Sequence, residues 1–437
     1  MKISLPAKIL YGCYFGSLAP ENNVMSRPAC RLRYFDPVRG FHRGGTGSNR
    51  LLLTILNTMK FKTFSPSLTS LVLVAVLYIS CTTSSNETNG NPDADSRFTV
   101  QTLYESLDHP WGMAWLPDGR LLVTERAGEI LVFKNDKYTG EKLTGLPKVF
   151  ADGQGGLLDI QLHPNYATNK WIYIAYSKPV DGGATTAIAR FKLNGNQVTD
   201  LSDLFTAKPY IPANYHFGSR IVFDKDNYMF FAVGERGTQP KVQELNNDHG
   251  KIHRLHDDGR VPTDNPFVNQ SGANGSIWTY GHRNPQGMVY DVATNRIWAA
   301  EHGPKGGDEL NLIEKGKNYG WPKTCYGINY DGTVLTPNKE LPGIENPARY
   351  WVPSIGPCGI TIVTSKRYPE WKGNILVGAL AFRHIARVQL DGKKYVSEEK
   401  LIDGMGRVRH VAESPDGYIY VITEGPGLLL KLVPTKS

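Results

Sequence analysis

WLPDGRLLVTERAGEILVF (Trp115–Phe133) and SPDGYIYVITEGPGLLLKL (Ser414–Leu432) decide the fold. Each reads as a Pro-Asp-Gly turn, an apolar strand, a glycine-bearing turn and a second apolar strand. Looser copies are DKDNYMFFAVGERG (Asp224–Gly237), NRIWAAEHG (Asn295–Gly303) and GNILVGALAFRHIARVQL (Gly373–Leu390). Short strands at regular spacing, with no long amphipathic helix between them, argue for an all-β repeat architecture. From Arg97 onward, about 340 residues at roughly 50–60 per four-stranded unit give about six units. The expectation is an all-β, six-bladed β-propeller of four-stranded antiparallel blades, which closes radially and leaves only short sheet edges. Closure makes the first and last copies neighbours, with a strand over Phe98–Leu103 completing the last blade. A sandwich plus a second domain is the alternative, and the number of similar repeats disfavours it.

Outside the repeats the chain changes character. The formal net charge of +8 hides a sharp division. Residues 1–58 hold eight Lys or Arg against Glu21 and Asp36, and Lys60 and Lys62 add two more. From Cys81 on, basic and acidic residues balance at 39 each, so no electrostatic footprint for nucleic acid is left. Met59 opens a new text: basic Lys60 and Lys62, an apolar run from Leu68 to Ile79, then Ser80-Cys81. That is the order of a secretory signal (59–81), too short to span a bilayer as a permanent helix. A cysteine after a small residue resembles a bacterial lipoprotein signal, with Cys81 as the lipidated mature N-terminus. Residues 82–96 (TTSSNETNGNPDADS) then form a polar tether. The expected location is exported, either periplasmic or membrane-anchored, and a membrane enters only through that lipid. Residues 1–58 have no periodic apolar pattern and precede a complete signal, so they read as an over-extended start with no fold. Cys13 and Cys30 fall in this leader, and only Cys325 and Cys358 belong to the domain 97–437. An exported domain permits a disulfide between them, and the sequence leaves the pairing open.

The run EHGPKGGDELNLIEKGKNYGWP (Glu301–Pro322) carries the most chemistry. It joins a Gly303-Pro304 turn and the carboxylates Asp308 and Glu309 to an aromatic turn at Tyr319-Gly320-Trp321-Pro322. Turns with exposed backbone carbonyls supply the oxygen ligands that a hard cation such as Ca²⁺ takes. Upstream stand YGHRNPQG (Tyr280–Gly287) and HFGSR (His216–Arg220), which add an imidazole, a guanidinium and an amide. The combination suits redox or proton-transfer chemistry on a polar ligand. Arg407 and Arg409 alternate on a predicted strand and are expected to point to one face. No Gly-x-Gly-x-x-Gly stands between a strand and a helix, which disfavours nicotinamide or flavin on a Rossmann unit.

Six segments occur in a telling order: GQGGLLDIQLHPNY (Gly153–Tyr166), HFGSRIVFD (His216–Asp224), GKIHRLHDDGRVPTDNPF (Gly250–Phe267), YGHRNPQGM (Tyr280–Met288), the Glu301–Pro322 run and GRVRHVAESPDG (Gly406–Gly417). The set resembles the soluble PQQ-dependent aldose sugar (glucose) dehydrogenases, quinoprotein propellers of six blades, over roughly Thr99 to Leu432. The resemblance implies an oxidoreductase that takes the C1 hydroxyl of an aldose to the lactone. PQQ and Ca²⁺ would be its cofactors, and an external acceptor would take the electrons. His216 is matched to the general base, and an imidazole near its neutral pKa suits removal of the hydroxyl proton as hydride leaves C1. Gln154, in a glycine-flanked loop, is matched to a contact with the substrate and the cofactor edge. Arg283 and Asn284 are matched to cofactor contacts, with Arg283 placed to stabilise charge developing on the quinone oxygen. Arg407 and Arg409 become carboxylate clamps for a planar tricarboxylate. The carbonyls of Gly303 and Pro304 are matched to the cofactor's Ca²⁺, and Glu309 with the Tyr319 carbonyl to a second, structural calcium.

The sequence departs from the family pattern at two places. Tyr215 stands where the family tends to carry Asp before the histidine, which points to a different contact with the sugar. Ala381 falls where the family carries Lys, and Arg383, two residues on along the same strand face, is expected to supply that charge. Trp351 and Tyr350 are read as packing over the cofactor or sugar ring, with the core as the equal alternative. Asp159 and His163 are read as structural. A calcium-dependent propeller lactonase is a rival function, but it needs side-chain carboxylates converging on a metal, and Arg283, Arg407 and Arg409 favour an anionic cofactor instead. A cofactor-free propeller that binds sugar or protein stays open, because fold does not fix function.

Overall fold

The strands of the repeats are apolar at consecutive positions, and packing on both faces of each sheet is the reason. The computed structural model describes residues 97–435. The leader 1–58, the signal 59–81 with Cys81 and the tether 82–96 lie outside the described residues. In the strand Arg120–Glu125, Leu122 joins a cluster with Ile160, Ile172 and Phe191 of the next blade, while Leu121 and Val123 pack with Tyr420 and Ile422 of the last. Successive side chains of a strand point to opposite faces, so a sheet covered on both sides must be apolar on both. Met229–Val233 divides in the same way: Met229 and Phe231 meet the blade before, Phe230 and Ala232 the blade after. Each Leu or Phe buried like this contributes roughly 1.5–3 kcal/mol.

Six four-stranded antiparallel sheets result. The first blade comprises Pro110–Trp115, Arg120–Glu125, Glu129–Lys134 and Lys137–Lys142. The second comprises Leu157–Leu162, Ile172–Val180, Gly183–Asn194 and Gln197–Thr206. The third comprises Ile221–Phe223, Met229–Val233, Lys251–Leu255 and Ile277–Tyr280. Pro285–Asp291, Arg296–Glu301, Asp308–Ile313 and Arg349–Trp351 make the fourth. Pro357–Ile362, Ile375–Ala379, His384–Asp391 and Lys394–Leu401 make the fifth. The sixth takes Arg407–Glu413, Ile419–Glu424 and Leu429–Pro434 from the end of the chain and Phe98–Tyr104 from its start. Phe98 pairs with Pro434 and Thr102 with Leu430, which is the closure the sequence implied.

The first strands of all six blades line an axial cavity of about 440 Å³. Five of them shift register against their neighbours near the start: between Pro110 and Met113, Leu157 and Ile160, Pro285 and Gly287, Pro357 and Ile360, and Val408 and His410. Such a bulge bends the strand and re-aims its extra side chain. Gln286, Cys358 and Arg409 all sit in bulges, and they bond to one another.

Candidate active site

His216 sits in a loop held from three directions. Its φ of 57° is in the left-handed region, so other contacts must fix the backbone there. The Arg236 guanidinium donates to the carbonyls of Ala213 and Tyr215 on that loop, and to Ala184 at 2.9 Å, while lying 3.5 Å over the Phe217 ring. Gln154 Oε1 accepts the His216 amide at 2.9 Å. Gly234 passes so close to the His216 carbonyl that a Cβ would collide with it. On the side chain, Nδ1 lies 2.5 Å from Oε1 of Glu235, a residue only 1% exposed. Nδ1–H donates to that carboxylate, which leaves the Nε2 lone pair as the free basic position. Burial pushes the imidazole below its ordinary pKa; the Glu235 hydrogen bond opposes this and the Arg283 charge adds to it. The edge of Tyr215, 40% exposed, meets the imidazole at 4.8 Å between centroids and walls one side of it.

Arg283 and Asn284 come from the loop that enters the fourth blade. Glu301 fixes this loop by accepting from the Arg283 amide at 2.8 Å and pairing with His282 Nδ1 at 2.9 Å. Arg283 Nη1 donates to the carbonyls of Gly303 at 2.6 Å and His302 at 3.2 Å. Its Nε is buried without a partner. Asn284 Oδ1 accepts the Gly218 amide at 3.1 Å, two residues past His216, and its Nδ2 is likewise buried and unpartnered. Two orphan donors side by side mark a place for an acceptor-rich ligand.

The Gly303-Pro304 turn is clasped from below. Asp308 accepts from the amides of Gly303 at 2.8 Å and Gly356 at 2.7 Å, and burial pushes its carboxyl up to about 6. The Pro304 carbonyl accepts only the Ser354 hydroxyl, at 3.2 Å, so each carbonyl of the turn keeps a lone pair. Asn311 Nδ2 bridges Glu309 and Glu301, at 3.0 Å to each. Burial, reinforced by Glu301, pushes Glu309 up to about 8. Tyr319 stacks on His282 at 4.6 Å, which brings it to the same cluster.

Across the axis Arg407 and Arg409 share one carboxylate, Glu424. Arg409 Nη2 is 2.7 Å from it and Arg407 Nε 3.7 Å. Burial works to raise the Glu424 carboxyl, but these ion pairs prevail and hold it below the ordinary range. Arg409 also donates to Gln286 Oε1 at 2.8 Å and Cys358 Sγ at 3.3 Å. His302, 3.7 Å from Cys358 Sγ, is pushed down to about 3 by burial and by Arg409 and Arg283, so it is neutral.

Two expectations need correction. Arg383 is exposed, with φ 55°, in a turn between the strands Ile375–Ala379 and His384–Asp391. Strand alternation therefore does not carry it to the side of Ala381, and among the described residues its guanidinium forms no ion pair. Trp351 is 3% exposed in the core between the fourth and fifth blades, and its indole donates to Glu398 at 2.9 Å. Tyr350, 41% exposed, is the aromatic that faces outward, stacked on Tyr326 at 4.0 Å. Asp159 is structural, bonded to Arg220 Nη1 at 2.6 Å and the Ile221 amide at 2.8 Å. His163 is a buried acceptor for the Asn165 amide. Cys325 and Cys358 are both buried and free.

Residues 107–431 match the family model described as glucose/sorbosone dehydrogenase. The chain belongs to that family. It is 41% identical to the aldose sugar dehydrogenase YliI of Escherichia coli K12 over 349 residues, which span 78% of this chain and 94% of that one. The crystal structure of the soluble E. coli aldose sugar dehydrogenase in its apo form superposes with a TM-score of 0.74 at 40% identity, covering 77% and 99% of the two chains. The PQQ-bound form of the aldose sugar dehydrogenase of Streptomyces coelicolor gives 0.64 at 29% identity, covering 78% and 99%.

Sequence reasoning missed Glu235, Glu424, His302 and Arg126 of this dehydrogenase, all at the tops of second strands or in the turns that follow them. A signal was present. TERAG, GERG, AEHG and TEGPG place a Glu at the same point of four repeats, where it reads first as turn punctuation.

Proposed function

We propose that this dehydrogenase is an exported quinoprotein that oxidises the C1 hydroxyl of aldoses to the lactone, with His216 as the base. One observation carries the reading: the His216 Nε2, freed by the Nδ1–Glu235 bond, shares its surroundings with the orphan donors of Arg283 and Asn284. PQQ fits this donor set, since it is a flat tricarboxylate with ring carbonyls and the four guanidiniums of Arg126, Arg283, Arg407 and Arg409 meet few carboxylates. Asn284 Nδ2 and Arg283 Nε would hold its ring oxygens, and Arg407 with Arg409 its carboxylates. When bound, PQQ supplies the acceptor for hydride from C1.

His216 takes the O1 proton on Nε2, and the imidazolium that forms is stabilised by the Glu235 carboxylate on its other nitrogen. The depressed pKa keeps His216 unprotonated, hence ready, at neutral pH. Gln154 fixes the height of the imidazole through the His216 amide, and Tyr215 bounds the sugar's position beside it. The free lone pairs of Gly303 and Pro304 suit Ca²⁺ beside the cofactor. Glu309, whose ionisation is disfavoured by burial and by Glu301, suits a second cation completed by the Tyr319 carbonyl. A lactonase would need converging carboxylates, and among the described residues no group of three or more His, Cys, Asp or Glu is arranged for a metal. The Lys60–Cys81 pattern supports export and lipidation, so Cys81→Ser should move the protein from the membrane fraction to the soluble one.

The test is the apoprotein with PQQ, Ca²⁺, glucose and an artificial electron dye. Dye reduction should require all of them and stop with a chelator. Dye reduction without PQQ, or none with the full mixture, refutes the proposal.

A further inference from the structure

Arg126 belongs to none of the segments that carry the family resemblance, yet it lies at the junction of the two halves of the site. It follows the strand Arg120–Glu125 in the tight turn at the top of the first blade. Its Nη1 donates at 2.5 Å to the carbonyl of Gly153, whose neighbour Gln154 holds the His216 amide. Its Nε is buried and has no partner. Burial has the largest effect on it and lowers its pKa; Glu424 and Asp108 raise it, and Arg409 and Arg407 lower it further. Arg126 thus lies within electrostatic range of the Glu424, Arg407 and Arg409 cluster, with Asp108 as a second carboxylate acting on it. Glu424 neutralises Arg409, with which it is in contact at 2.7 Å, and is only loosely associated with Arg407 at 3.7 Å. Three guanidiniums against Glu424 and Asp108 leave a positive surplus, and like charges that feel one another raise the free energy of the site until an anion arrives. A purely structural role for Arg126 explains the Gly153 bond but leaves both the orphan Nε and the surplus charge without a reason.

We infer that Arg126 is a further cofactor-binding residue, a third guanidinium that pairs with a carboxylate of PQQ together with Arg407 and Arg409. The inference rests on the quinoprotein reading above. It also makes Arg126 the mechanical link between the anion clamp and the Gln154 loop, so that an anion on the clamp steadies the loop that positions the base.

The test measures PQQ affinity of the Ca²⁺-supplied apoprotein by quenching of tryptophan fluorescence, at low and high salt, for wild type, Arg126→Gln and Arg126→Lys. Gln keeps an amide donor for the Gly153 carbonyl but loses the charge, whereas Lys keeps the charge. Arg126→Gln should bind PQQ about 10- to 100-fold more weakly, with a shallower salt dependence, and Arg126→Lys within about threefold of wild type. Equal affinity in wild type and Arg126→Gln overturns the inference, as does an Arg126→Lys protein as weak as Arg126→Gln. Circular dichroism of each apoprotein identifies a folding failure; should Arg126→Gln not fold, Arg126→Met, which also removes the charge, takes its place in the comparison. A wild type that binds no PQQ refutes the quinoprotein reading instead, so the two failures are distinguishable.

Discussion

Replacing Glu235 with Gln tests whether the buried carboxylate under His216 takes part in proton transfer or only holds the loop. The substitution keeps volume and leaves a carbonyl oxygen to accept Nδ1–H, so the 2.5 Å contact is conserved in kind while its charge is lost. In the ground state the imidazole is neutral and the loss is small. In the transition state the ring gains a proton, and the bond to Glu235 becomes one between two charged groups. Hydrogen bonds to charged groups contribute about 1.5–3 kcal/mol, against about 0.5–1.5 for neutral ones. Removing the charge should therefore raise the barrier by about 1–2 kcal/mol, a fall in kcat of roughly 5- to 30-fold. Cofactor affinity should not change, because Glu235 accepts no hydrogen bond from the orphan donors of Arg283 and Asn284. The assay is dye reduction at saturating PQQ, Ca²⁺ and glucose, repeated with C1-deuterated sugar to confirm that the chemical step is observed. An unchanged kcat, with an isotope effect present in both proteins, would refute the reasoning. A fall in PQQ affinity without a fall in kcat would move Glu235 to the cofactor pocket.

His216→Ala should retain PQQ and Ca²⁺ binding while turnover falls by roughly 10²–10⁴-fold, the worth of a positioned general base. Because burial holds His216 below its ordinary pKa, the wild-type rate should rise with pH through a midpoint below about 6.5 and level off above it; a midpoint above that value contradicts the assignment. Burial pushes His249 down to about 4, so it is neutral in the fold, and its contribution is complete above the unfolded-state pKa. Stability should fall by up to about 3 kcal/mol as pH drops from about 6.5 to 4, read from urea unfolding, and His249→Gln should flatten that slope. Arg409→Ala should destabilise the apoprotein by about 1–3 kcal/mol by leaving the buried Glu424 with only its 3.7 Å pairing to Arg407, seen as a lower melting temperature. Arg407→Ala, on a side chain 43% exposed, should leave stability nearly unchanged and weaken PQQ binding.

The fold was legible because each blade repeats one sentence: turn, apolar strand, glycine turn, apolar strand. Even the joint between Phe98–Tyr104 and Leu429–Pro434 follows from a repeat with its two ends at opposite termini. Legibility failed where the backbone leaves strand geometry. Alternation predicted Arg383 beside Ala381, but a turn intervenes and no period-two rule applies in it. Alternation also placed Arg407 and Arg409 together, and they do share Glu424, although the bulge at Val408–His410 interrupts the ladder between them. Trp351 was ambiguous because an aromatic before a proline-rich loop serves core and site equally well. Glu398, 47 residues away in sequence, settles its direction by accepting the indole proton.

The four glutamates show why the site was harder to read than the fold. Glu125, Glu301 and Glu424 each end the second strand of a blade and Glu235 stands two residues past one, and each accepts hydrogen bonds from the segment leading into or starting the first strand of that same blade. The donor to Glu125 is the Asp108 amide at 2.7 Å, a structural bond. To Glu301 the donors are His282 and the Arg283 amide, which aim a guanidinium. For Glu424 the partner is the Arg409 side chain, part of the proposed anion clamp. For Glu235 it is the His216 imidazole, the proposed base. One repeated position thus has four roles, set by the partner that the preceding segment presents. The repeat specifies where a carboxylate stands, and only the folded neighbourhood specifies its use, because the partners are 15 to 19 residues away along the chain and meet only when the blade closes. Chemistry in this propeller is therefore a property of the loops over a fixed ring of acceptors, which is how one scaffold carries unrelated activities without changing its core.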